Sequence, residues 1–124
     1  MLEAFLNTLS QKENLVFVGT TSMKIQGIDI VPQDIDIVVT DLVGLENYVE
    51  YTTDSKFSTS GKRAFIKGEI DIDIFIEDTL PEYVIIDGKK AVTFFYMKKL
   101  YNVLLNIVDD YLKNDLTEKL NLLQ

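Results

Sequence analysis

The sequence predicts an α+β domain, a mixed β-sheet flanked by helices. Three observations predict it: two Asp-Ile alternations that read as strands, short apolar runs ended by glycine turns, and helical apolar spacing at both chain ends. The 124 residues and 14.2 kDa suit one domain spanning 1–124. Hydrophobic residues at 47% and charged residues at 26% are ordinary for a folded chain.

Each element follows from its own pattern. Residues 2–11 carry Leu2, Phe5, Leu6 and Leu9 at helical spacing. Leu15 to Val18 is a short apolar strand ended by Gly19. Thr20 to Gln26 reads as a helix with a hydroxyl for its N-cap and Gly27 at its end. Asp34 to Thr40 is a strand and Leu42 to Val49 a short helix. Phe57 to Lys67 reads as a hairpin around Ser60-Gly61-Lys62. Glu69 to Ile76 is the clearest strand, and Tyr83 to Val92 a hairpin turning at Asp87-Gly88. From Phe94 onward the pattern is helical, with a break near Asp109-Asp110 or Asn114-Asp115. Tyr96, Leu100, Tyr101, Leu104, Val108, Tyr111 and Leu112 make a broad apolar face, read mostly as core.

Composition narrows the chemistry. There is no cysteine and no histidine, which removes thiolate metal sites, cysteine nucleophiles and histidine general bases. A net charge of −8 lacks the basic footprint of a phosphate-backbone binder, so direct nucleic-acid binding is not expected. The start of the chain shows no basic region followed by a long apolar run, and no window is long enough to span a bilayer. The expectation is a cytoplasmic protein without a membrane contact. Carboxylates remain, and they suit hard cations such as Mg²⁺ and Mn²⁺.

Those carboxylates are patterned. In Asp34-Ile35-Asp36-Ile37-Val38-Val39, strand geometry puts Ile35, Ile37 and Val39 on one face and both aspartates on the other. In Ile70-Asp71-Ile72-Asp73-Ile74-Phe75-Ile76, Asp71 and Asp73 likewise oppose the isoleucines. Aspartates two apart on a strand lie about 6–7 Å apart. If the two strands are neighbours, up to four carboxylates converge on one patch, which repels itself unless cations bind or protons are taken up. A half-exposed strand also alternates polar and apolar residues, but Asp is a poor strand former for that purpose. Ahead of these strands, Val18-Gly19-Thr20-Thr21-Ser22 runs from strand through glycine and hydroxyls into a helix. A glycine there lets main chain approach a ligand. The spacing matches neither a Walker loop nor a Rossmann fingerprint.

Together these residues resemble the nucleotidyltransferase fold of the DNA polymerase β superfamily, in its minimal form. Val18-Gly19-Thr20 stands for the family's hydrophobic–Gly–Gly/Ser element, Thr21 to Gln33 for its spacer, and Asp34-Ile35-Asp36-Ile37 for its metal-binding pair. Asp71 or Asp73 would supply the third carboxylate. The resemblance covers about residues 13 to 105, including Thr93 to Leu100, whose Lys98 follows a methionine as in several small families of the group. The resemblance implies transfer of a nucleoside monophosphate from an NTP to an acceptor hydroxyl. It implies two Mg²⁺, with Mn²⁺ as substitute, at Asp34, Asp36 and Asp71 or Asp73, and a nucleotide held by Gly19, Thr20, Thr21 and Lys98. Thr20 and Thr21 depart from the usual Gly or Ser, adding methyl groups and stiffening the turn. Some minimal members work with a helical partner. The alternative implied is therefore a weakly active or inactive, antitoxin-like binding partner.

Other readings fit less well. A Toprim site needs a glutamate soon after the first strand, and Gly19-Thr20-Thr21 offers none. Glycosyltransferases with Asp-x-Asp are longer, and a haloacid-dehalogenase site would place its aspartates after the first strand. A calcium loop at Asp71 to Asp73 lacks its glycine. Lys62 and Arg63 could reach phosphates but read rather as solvated turn charges, and Lys98 and Lys99 as equally suited to solvent or nucleotide. The Leu116, Leu120 and Leu123 stripe is a candidate homodimer or helical-partner contact.

Overall fold

The alternating isoleucines and valines fold as the pattern demands. In the computed structural model, which describes residues 2–54 and 61–123, they build a seven-stranded mixed sheet accompanied by four helices, an α+β architecture. The chain divides into two units, Met1–Val92 and Thr93–Gln124.

The first unit holds α1 (Leu2–Leu9), β1 (Leu15–Val18), α2 (Gly19–Ile25), β2 (Ile35–Val39), β3 (Tyr51–Asp54), β4 (Lys62–Ile66), β5 (Ile72–Ile76), β6 (Tyr83–Ile86) and β7 (Lys89–Val92). The sheet order is β3-β4-β5-β2-β1-β7-β6. β2 runs parallel to β5, and β1 parallel to β7; every other neighbouring pair is antiparallel. Leu15, Phe17, Ile35, Ile37, Val39, Ala64, Ile72 and Ile74 point to one face and pack with Leu6 and Leu9 of α1. The opposite face of β4, β2 and β5 carries Arg63, Phe65, Asp36, Asp73 and Phe75, each only partly buried.

The turns follow residue chemistry. Asp87 (φ 50°) and Gly88 (φ 77°) both take positive φ, the requirement of the tight hairpin joining β6 and β7. The helix expected over Leu42 to Val49 is absent. Gly44 sits at φ 88°, which a right-handed helix cannot contain, and the segment forms turns that carry Leu45 into the core. The strand expected from Glu69 starts only at Ile72, because residues 68–70 bend and the Gly68 amide donates to the Asp71 carboxylate. No hydroxyl caps α2; Val18 holds the cap position, and Ser22 Oγ donates instead to the Gly19 carbonyl. β4 pairs with Tyr51–Asp54, so the incoming hairpin strand lies earlier than expected. Phe57 to Ser60 of that expected hairpin fall outside the described residues.

The second unit contains α3 (Phe94–Leu104) and α4 (Asp110–Leu122). Thr93 Oγ1 accepts from the Tyr96 amide and caps α3. The helical break falls before Asp110, and Asn114-Asp115 lies inside α4. Met97, Tyr101, Leu116 and Leu123 are buried, whereas Tyr96, Leu100, Tyr111 and Leu112 are exposed, so the apolar face is less buried than its sequence implied. Among the described residues no helix is long and apolar enough to cross a membrane.

A polar latch joins the turn after α1 to the start of the 41–45 loop. Lys12 Nζ donates to Asp41 Oδ1 and to the Val43 carbonyl, both at 2.8 Å, and Asp41 accepts from the Val43 amide and Asn14. The Lys12 hydrogen bond, chiefly, holds the Asp41 carboxyl below its ordinary value of 3.8. Its stabilisation is therefore present above that value and is lost as pH falls through the lower, folded-state pKa. Asp41→Asn is expected to lower the urea midpoint at pH 7, with the two proteins converging as pH drops below 3.8. Phe17 is fully buried in central β1. Phe17→Ala is expected to cost about 3–5 kcal/mol, read by urea unfolding.

Candidate functional site

The site is built by one register. Asp36 on β2 lies opposite Asp73 on the parallel neighbour β5, and Ile35 and Ile37 lie opposite Ile72 and Ile74. Side-chain alternation then puts both carboxylates on the face away from the apolar cluster. Adjacent strands stand about 4.8 Å apart, so the two carboxylates share one patch. Asp34 lies just before β2 and is exposed. It acts on Asp73 electrostatically. The sequence reading made convergence conditional on the two strands being neighbours, and they are.

β1 delivers the glycine turn to the same place. Val18 is the antiparallel partner of Asp36, and Gly19 follows at φ 61°. A Cβ on Gly19 would meet Asp36 Oδ2 at 2.6 Å. Glycine is thus required twice, for its backbone angle and for the room it leaves the carboxylate. Thr20 is half-buried at the start of α2. Thr21 is fully buried; its hydroxyl donates to the Asp34 carbonyl at 3.3 Å and accepts from the Asp36 amide at 3.2 Å. It therefore brackets the main chain of the Asp34–Asp36 segment. Lys98 lies on α3, in the second unit.

The two β5 aspartates differ in surroundings. Asp71 precedes the strand, its carbonyl accepts from the Ile35 amide at 2.9 Å, and its carboxylate is engaged by Lys67 at 3.3 Å. Asp73 sits within the strand at 21% side-chain exposure, with Arg63 at 3.6 Å. Burial pushes the Asp73 carboxyl above its ordinary value; Arg63 and Lys67 oppose that rise, and Asp34 and Asp71 add to it. Of the two, Asp73 is the one that faces Asp36 directly.

Arg63 escaped the sequence reading as a solvated turn charge. It lies on β4 opposite Phe75, and Phe65 on the same strand lies opposite Asp73. The guanidinium carbon is 4.8 Å from the ring centroids of both Phe65 and Phe75. Each such contact is worth about 0.5–1 kcal/mol where solvent reaches it. The 3.6 Å ion pair is longer than the ~2.8 Å of a charge-assisted hydrogen bond. Arg63 Nε is buried and has no hydrogen-bond partner among the described residues. The readable signal was two i, i+2 pairs, Arg63-x-Phe65 and Asp73-x-Phe75, which meet only when β4 pairs with β5.

In kind the donors suit a hard divalent cation, being all oxygen, with Asp36 and Asp73 on one face. As the side chains stand, no three acidic groups among the described residues are gathered tightly enough to hold an ion.

No protein-family model matches the chain, and no curated protein matches it. Among solved structures it is similar to the crystal structure of JHP933 from Helicobacter pylori, with a TM-score of 0.56 and 14% identity. The match covers 88% of this chain and 55% of that one, so this chain spans about half the length of that structure. At this identity the likeness shows a shared fold alone.

Gly19→Ala is expected to destabilise the protein by more than the ~1–2 kcal/mol of a left-handed alanine. Gly88→Ala is the control, since Gly88 has φ 77°, nearer that of Gly19, and nothing within 4 Å of an added Cβ. Urea unfolding of the two variants reads the difference.

Proposed function

We propose that the chain is a nucleotidyltransferase-fold domain that transfers a nucleoside monophosphate from an NTP to an acceptor hydroxyl, with Mg²⁺ or Mn²⁺. The observation that carries this reading is the Asp36–Asp73 pairing across β2 and β5, with Asp34 two residues ahead and Gly19 against Asp36. Asp34 and Asp36 would hold the divalent ion, with Asp73 completing the carboxylate set. A bound ion supplies positive charge to the triphosphate and lowers the pKa of the acceptor hydroxyl.

This chain's residues do the rest. Gly19 and Thr20 offer main-chain amides and a hydroxyl to the β- and γ-phosphates. Thr21 serves by bracing the main chain at Asp34 and Asp36, since its hydroxyl is already committed there. Asp73, with proton affinity raised by burial, takes the proton as the acceptor oxygen bonds to the α-phosphorus. The bond from that phosphorus to its leaving oxygen breaks, and pyrophosphate departs. The net charge of −8 favours a small-molecule or protein acceptor over nucleic acid. The similarity to JHP933 is a shared fold and carries nothing of the chemistry.

A second reading, a weakly active or inactive fold paired with a helical protein, is favoured by the Arg63–Asp73 ion pair, which occupies one carboxylate. Calorimetric titration of ATP, GTP, CTP and UTP, with and without Mg²⁺, separates the two. Binding that needs Mg²⁺ and falls at least tenfold in Asp34→Ala/Asp36→Ala is the expected result. Absence of binding by any NTP at millimolar concentration overturns the stand-alone enzyme and leaves the second reading.

A further inference from the structure

We propose that the cavity between α1 and the 41–48 loop binds a small molecule made of an apolar body and one protonated amine. Its floor belongs to the apolar cluster, on the face of the sheet away from Asp36 and Asp73, so it stands apart from the nucleotide reading.

Shape is the first support. The cavity holds about 730 Å³, within the roughly 300–1,000 Å³ of small-molecule sites. Leu9, Leu45 and Ile72 are its buried floor, while Val43 and Tyr48 line it at 67% and 66% exposure. An apolar body seated there removes surface of both side chains from water. The walls are set before any ligand arrives. Gly44 at φ 88° keeps the loop out of a helix, and Lys12 ties the turn after α1 to Asp41 and to the Val43 carbonyl, both at 2.8 Å. A wall already ordered spares a ligand that entropy cost.

Charge is the second support. Lys12, Glu13 and Asp41 are the charged residues that line the cavity. Lys12 and Asp41 neutralise each other at 2.8 Å, and the Lys12 side chain is only 11% exposed. Two of its three ammonium protons are engaged, so an anionic head group would compete with Asp41 for the one cation present. Glu13 forms no ion pair among the described residues, which leaves one negative charge at the cavity. The chain's net charge of −8 adds to the attraction for a cation. Phe5 and Tyr48 also line the cavity, and aromatic rings suit an ammonium group.

The test is calorimetric titration at pH 7 of three probes that share one octyl chain: octylamine, octanol and octanoate. Octylamine is expected to bind one to one, about fivefold tighter than octanol, with octanoate the weakest. Glu13→Gln, at an exposed turn position, is expected to bring octylamine down to the level of octanol. Thr8→Trp, which fills the cavity from an exposed position on α1, is expected to weaken octylamine and octanol alike. Circular dichroism confirms that each variant is folded. Octylamine that binds no tighter than octanol, or not at all, overturns the proposal. So does octylamine binding left unchanged by either folded variant, since attraction to an acidic surface at large would survive both. The ranking of the three probes on wild type decides the matter even if neither variant folds. None of these outcomes bears on the NTP titration, which tests the carboxylate face separately.

Discussion

The in-register parallel pairing of β2 with β5 is the constraint on which the rest depends. It sets Ile35 against Ile72 and Ile37 against Ile74, and by the same step Asp36 against Asp73. Core and candidate site are thus two faces of one alignment. A slip of one residue would turn the isoleucines toward solvent and bury the aspartates, so hydrophobic burial enforces the site's geometry. Each buried isoleucine is worth about 1.5–3 kcal/mol relative to exposure, so Ile35, Ile37, Ile72 and Ile74 together outweigh a carboxylate repulsion of about 1–4 kcal/mol. Parallel strands need a long crossover, usually a helix. Here the 40–71 connection contains turns and the β3 and β4 strands, which extend the sheet and bring Arg63 to Asp73.

β1 adds a second dependency. Its antiparallel pairing with β2 sets Val18 beside Asp36 and therefore Gly19 against that carboxylate. Thr21 then ties the first turn of α2 to both ends of the Asp34–Asp36 segment. The hydroxyl-rich stretch after the glycine thus divides its labour. Thr21 and Ser22 are buried and bonded to main chain, and Thr20 retains some exposure.

Much of this was legible in the sequence, for identifiable reasons. Period-two alternation of Asp with Ile exposes strand and face together, because both depend on local spacing, while the meeting of the two aspartate faces needs the β2–β5 pairing. The Asp87-Gly88 hairpin was legible because its turn needs two positive φ angles, which those residues tolerate. The helix misread over Leu42 to Val49 shows the limit: apolar spacing fitted, yet Gly44 at φ 88° breaks it. The role of Arg63 was hidden because it arises from pairing between β4 and β5, and nothing in Arg63-Ala-Phe65 states which strand lies alongside. The choice between Asp71 and Asp73 was hidden likewise. Alternation gives both the same face, and the late start of β5 at Ile72, with the register that sets Asp73 opposite Asp36, separates them.

Strand direction explains why the site sits at one particular end of the sheet. Asp36 and Asp73 are the second residues of their strands, so the carboxylates cluster where β2 and β5 begin. Gly19 comes immediately after the last residue of β1. In an all-parallel sheet the end of β1 and the start of β2 would lie at opposite edges, a strand length of about 13–17 Å apart. The antiparallel β1–β2 step folds them onto the same end. The parallel β2–β5 step then keeps the two aspartates at that end together. A mixed sheet is therefore what the arrangement requires: one antiparallel step to join glycine turn to carboxylate, and one parallel step to join carboxylate to carboxylate.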